Sequence, residues 1–67
     1  MPVTPAESIA AQLREELTPK PPGTPVESTR ALAKRFGVAP ATAAKALRML
    51  KTEGLIVARQ GFGTFRA

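Results

Sequence analysis

Apolar residues recur every four positions at Ile9, Leu13 and Leu17, with Ala6 and Ala10 beside them. One stripe at this spacing predicts an amphipathic helix. Gln12, Arg14, Glu15 and Glu16 fall off the stripe. The stretch "TPAE" supplies the start: Thr4 as N-cap, Pro5 at N1 where its missing N–H costs nothing, and Glu7 at N3 to complete a capping box. Pro19 disfavours helix at Thr18, so the helix should run over about 5–17. "TPKPPGTPV", Thr18 to Val26, then breaks the periodicity. Its prolines and glycine forbid helix and central strand, and a stiff linker over 18–27 is expected.

Helical periodicity resumes at Ser28, a good N-cap. A second helix over about 29–36 places Leu32 and Phe36 on one face, with Ala31 or Ala33 near it. Lys34 and Arg35 fall in its last turn, where cations suit the helix dipole, and Gly37 is placed to close it. After "GVA", Pro40 opens a third helix over about 40–53. Its N-cap, Ala39, is a poor one because it offers no side-chain oxygen. Ala43, Ala46, Leu47 and Leu50 form the apolar stripe. Ala41, Lys45, Arg48 and Thr52 lie opposite, flanked by Thr42 and Met49, and Gly54 ends the helix. "LIVAR", "QGFG" and "TFR" then read as strand, glycine turn and strand, a hairpin over 55–66. A lone hairpin is marginal in water, so it must pack on the helices. The fold class is mainly α with a small β-hairpin: three helices followed by a two-stranded wing.

Composition narrows the chemistry. A chain of 67 residues is one small domain, with a core worth roughly 3–5 kcal/mol. It has no cysteine and no histidine, and its acids are all glutamates at scattered positions. No Ser/His/Asp arrangement, metal cluster or phosphate-cradling glycine loop can be built. An enzyme is therefore not expected, nor a cofactor. No apolar run is long enough for a membrane span, and "MPVTPAESIAAQL" lacks the basic and apolar blocks of a leader. The charge is uneven: residues 1–27 carry a net −2 and residues 28–67 a net +7, giving the total of +5. A basic C-terminal part is the footprint of a polyanion partner, although charge alone leaves an ordinary solvated surface open.

Two helices joined by a short Gly-containing turn form a helix-turn-helix, whose second helix can enter a DNA major groove. Here the helix from Pro40 begins with small residues that let its backbone come close. Thr42 can hydrogen-bond a base or phosphate, and Ala41 or Ala44 can meet a thymine methyl. Lys45 and Arg48 can reach phosphates or base edges. The hairpin that follows, with Arg59 and Gln60 at its tip and Gly61 and Gly63 in its turn, has the place and make-up of a wing.

This ordered set of positions resembles the DNA-binding domain of the GntR family of bacterial transcription regulators. The matching residues are Ser28, Leu32–Ala33, Gly37–Val38, Thr42, Ala46–Leu47, Leu50, Glu53–Gly54–Leu55 and the "GFGTF" wing from Gly61 to Phe65. The resemblance implies a winged helix, located in the cytoplasm with the nucleoid, that binds double-stranded DNA at a palindromic operator as a homodimer and usually represses. With the resemblance added to the reading of the residues, the candidate site residues are Ser28, Thr29 and Arg30 at the start of the second helix. In the third helix they are Ala39, Pro40, Ala41, Thr42, Ala44, Lys45 and Arg48. On the wing they are Arg59, Gln60 and Gly61. Two departures stand out: Ala39–Pro40 replaces the family's common Ser-Arg, and Ala44 stands where another Arg is frequent. The family's effector-binding and dimerisation domain has no counterpart in these residues, so no small-molecule effector is expected for this chain alone. The alternative reading is a winged-helix protein-interaction module, or an accessory factor of a plasmid or phage.

Overall fold

The computed structural model describes residues 4–67; Met1, Pro2 and Val3, which open the segment expected to lack a leader, lie outside the described residues. The element order is α1 (Pro5–Leu17), β1 (Pro25–Val26), α2 (Thr29–Phe36), α3 (Pro40–Thr52), β2 (Ile56–Arg59) and β3 (Gly63–Arg66). The helices follow the expected limits, except that α3 closes one residue early with Glu53 as its C-cap. The Thr4 hydroxyl accepts from the Glu7 N–H at 3.1 Å, and the Ser28 hydroxyl accepts from the Ala31 N–H at 3.1 Å. Gly37 takes the left-handed conformation at φ 67° and turns the chain out of α2. Val38 then donates to the Ala33 carbonyl at 3.0 Å and packs against the core, so the turn into α3 is closed on both counts.

The core lies where the three apolar stripes meet. Ile9, Ala10, Leu13 and Leu17 of α1 face Leu32 and Ala33 of α2 and Ala43, Ala46, Leu47 and Leu50 of α3. Ile56 anchors the wing to this cluster, as a hairpin needs. Of the two alanines near the Leu32 face, Ala33 is buried and Ala31 exposed. Phe36 is half-buried, with the Arg35 guanidinium 4.9 Å from its ring centre.

The linker is more structured than a plain connector. Pro25 and Val26 pair with Phe65 and Thr64 of β3, so the sheet has three antiparallel strands in the order β1-β3-β2. The expected two-stranded wing is thus joined by a third strand. Pro25 tolerates this because β1 is an edge strand, where a missing N–H leaves no ladder bond unmade. Pairing continues outward: Gly23 donates to the Arg66 carbonyl at 2.7 Å, and Arg66 donates back to the Thr24 carbonyl at 2.8 Å. The Arg66 side chain closes the other side. Its guanidinium donates to the Leu17 carbonyl at 2.9 Å and the Ala67 carbonyl at 2.7 Å, satisfying a carbonyl at the C-terminus of α1.

Ion pairs tie α1 to the other helices. Arg14 pairs with Glu53, and Arg35 with both Glu16 and Glu27. Hydrogen bonds from these arginines hold the Glu53 and Glu16 carboxyls below the usual carboxylate range. The pairs are exposed, so they add little to stability.

Helix α3 starts at an N-terminus without a side-chain cap: Ala39 makes none, as the sequence leads one to expect. Ala39→Ser supplies the missing oxygen and is expected to add about 1 kcal/mol. A rise of roughly 4–8 °C in melting temperature checks this; an unchanged value shows that these N–H groups are already satisfied.

Candidate nucleic-acid interface

Helix α3 buries one face and presents the other. Ala41, Lys45, Arg48 and Thr52 are exposed, and Thr42 and Ala44 are half-buried at the margin. Ala39 and Pro40 are exposed at its start. Three elements converge beside this face. The start of α2 (Ser28, Thr29), the side of α3 (Ala44, Leu47, Arg48, Lys51) and the sheet (Val26, Gly63, Thr64) line an open recess of about 430 Å³.

The recess gathers Ser28, Thr29, Ala44 and Arg48 from the sequence-based candidates. Arg30, Ala41, Thr42 and Lys45 lie outside it on α2 and α3, and Arg59, Gln60 and Gly61 lie at the exposed wing tip. The structure also adds residues to the expected set. Lys51 lines the recess with Arg48, three positions along the same helix face. Helical spacing carries that signal, but attention to the N-terminal half of α3 passes it over. Gly63 and Thr64 are brought in by the β3 pairing. Phe62, at the turn, is 80% exposed and shares a shallower surface with Arg59 and Phe65.

The ion pairs sharpen the charge pattern. Among the described residues, Arg14 and Arg35 are the cations paired with carboxylates, and their partners include Glu27, just before α2, and Glu53, the C-cap of α3. Arg30, Lys45, Arg48, Lys51 and Arg59 make no ion pair among the described residues. The acids left unpaired, Glu7 and Glu15, are on α1. Unpaired positive charge is therefore carried by α2, α3 and the wing, whereas the two unpaired acids are both on α1.

The recess separates α3 from the sheet. It is open and bordered by Arg48 and Lys51. The Ser28 hydroxyl is already committed as a cap acceptor, but its hydrogen remains free to donate. Nothing in this arrangement forms a metal site: no group of three His, Cys, Asp or Glu comes together among the described residues.

Solved structures of other proteins share this fold. No curated protein matched the chain. Among solved structures, AraR(DBD) in complex with operator ORE1 superposes with a TM-score of 0.92 at 25% identity, covering 100% of this chain and 84% of that one. The Streptococcus agalactiae GntR gives a TM-score of 0.78 at 28% identity, covering 92% of this chain and 31% of that one. The possible transcriptional regulator YydK from Bacillus subtilis gives 0.87 at 23% identity and shares the fold, covering 96% of this chain and 29% of that one. The chain thus spans less than a third of the length of the last two. The family model for bacterial regulatory proteins, gntR family, matches residues 5–65. With nearly the whole chain inside that match, it belongs to the gntR family of bacterial regulatory proteins, a family of regulators rather than of enzymes.

Proposed function

We propose that the chain is a sequence-specific DNA-binding module of a bacterial transcription regulator, acting as a repressor by occluding its operator. Supporting this are the gntR match and the likeness to AraR(DBD), solved in complex with operators ORX1 and ORE1. The observation that carries it is the recess between α3 and the wing, bordered by cations that no carboxylate neutralises among the described residues. In this reading α3 lies in a major groove, with Thr42, Ala41 and Ala44 toward the bases. Arg30, Lys45, Arg48, Lys51 and Arg59 meet phosphates, as do Ser28 and Thr29 at the start of α2. The wing residues Gln60 and Gly61 reach past the adjoining backbone. The reading has no catalytic step, and its partner is double-stranded DNA in the cytoplasm, bound as two copies on a palindrome.

Selection of bound duplexes from a random pool tests it. A palindromic consensus is expected. Enrichment of no sequence over competitor would overturn the reading in favour of a protein-interaction module.

A further inference from the structure

We propose that Phe62 is an apolar DNA contact, its ring packed against the deoxyribose walls of the minor groove beside the phosphate contact of Arg59. The inference rests on the DNA-binding reading above and adds to it a residue whose contribution is not electrostatic.

Phe62 and Val57 are the exposed large hydrophobics among the described residues, at 80% and 38% exposure. Val57 is accounted for by its cross-strand partner Phe65. Phe62 stands at the tip of the β2–β3 turn, where its N–H donates to the Arg59 carbonyl at 2.9 Å. Gly61 and Gly63 on either side have φ of 84° and 112°, and a Cβ on either would meet nothing within 4 Å. These glycines are required by the turn rather than by crowding. They leave bare backbone on both sides of one protruding ring.

The place of the ring follows from the recess. If a phosphodiester chain runs between α3 and the sheet, past Arg48, Lys51 and Thr64, the major groove is on the α3 side of that chain. The wing tip then lies on its other side, which is the minor groove. That groove is about 6 Å wide, so a ring can enter edge-on between the sugars. Arg59 shares a surface with Phe62 and Phe65, and its charge suits DNA rather than an apolar protein partner. Sugars offer C–H surface at every step, so the contact adds affinity without reading a base.

The test uses the duplex that the wild-type chain selects from a random pool. Phe62→Ala is expected to weaken binding about tenfold, in keeping with partial burial of one phenylalanine. The slope of log affinity against log salt should stay the same, because no counterion is released by a ring. Arg59→Ala should instead flatten that slope by about 0.9. Phe62→Leu, which keeps apolar bulk, should retain most of the affinity. Hydroxyl-radical footprints should lose sugar protection beside the α3 footprint in Phe62→Ala alone. Unchanged affinity and footprint in Phe62→Ala overturn the proposal. So does unchanged affinity with a smaller sedimentation coefficient, which would place Phe62 between copies of the chain. A wild-type chain that selects no DNA would instead remove the reading on which the inference rests.

Discussion

Leu50→Ala should leave the chain mostly unfolded at 25 °C. Leu50 is fully buried in α3, the helix that packs on α1, α2 and β2 together. Its carbonyl accepts from the Leu55 N–H at 3.1 Å, so it also stands at the exit toward the wing. Truncating a buried leucine typically costs about 2–5 kcal/mol, because lost transfer energy and the remaining cavity add together. A core of this size supplies only roughly 3–5 kcal/mol. No disulfide supplements it, as the sequence has no cysteine. Met49→Ala, at the half-buried flank of the same helix, should cost clearly less and remain folded. Far-UV circular dichroism with urea titration separates the two. A cooperative Leu50→Ala transition near the wild-type midpoint would show that α3 is not the centre of the core.

The helices were legible because their information is local. Ile9, Leu13 and Leu17 repeat at helical period, and Thr4, Ser28 and Gly37 mark ends through chemistry within a few residues. The exposed face of α3 was legible for the same reason. The strand β1 was not. Pro25 reads as a breaker, and only β3, about 40 positions away, supplies the pairing that makes it an edge strand. Arg66 was equally opaque, since the carbonyls it binds come from Leu17, Leu55 and Ala67. The same holds for the candidate site. Single residues such as Arg48 were visible, but the recess joins Ser28 to Thr64 and exists only after folding. In sequence Phe62 reads as part of a glycine turn, and only the folded hairpin exposes its ring.

The double variant Lys45→Ala/Arg48→Ala should bind the selected duplex about 60-fold more weakly at 0.1 M salt, with a salt slope flatter by about 1.8. Each phosphate contact contributes about 0.9 to that slope, and two lost contacts scale affinity by the same power of salt concentration. Both side chains are exposed, and neither makes an ion pair among the described residues, so their removal should not disturb the fold. Lys20→Ala, which removes an exposed cation from the segment between α1 and β1, controls for overall charge and should change little. The two positions differ in one respect that the single variants can read. Arg48 lines the recess where a backbone would run, whereas Lys45 lies outside it on the outer face of α3. Arg48→Ala should therefore weaken all sequences alike. Lys45→Ala should relax preference at one base pair if its amine reaches a guanine edge, and weaken uniformly if it meets only phosphate. The single variant is informative because Pro40 and Ala44 stand where the family commonly places arginine readers, and Lys45 is the α3 cation that lies outside the recess. A double variant with wild-type affinity at every salt concentration would remove α3 from the DNA contact altogether.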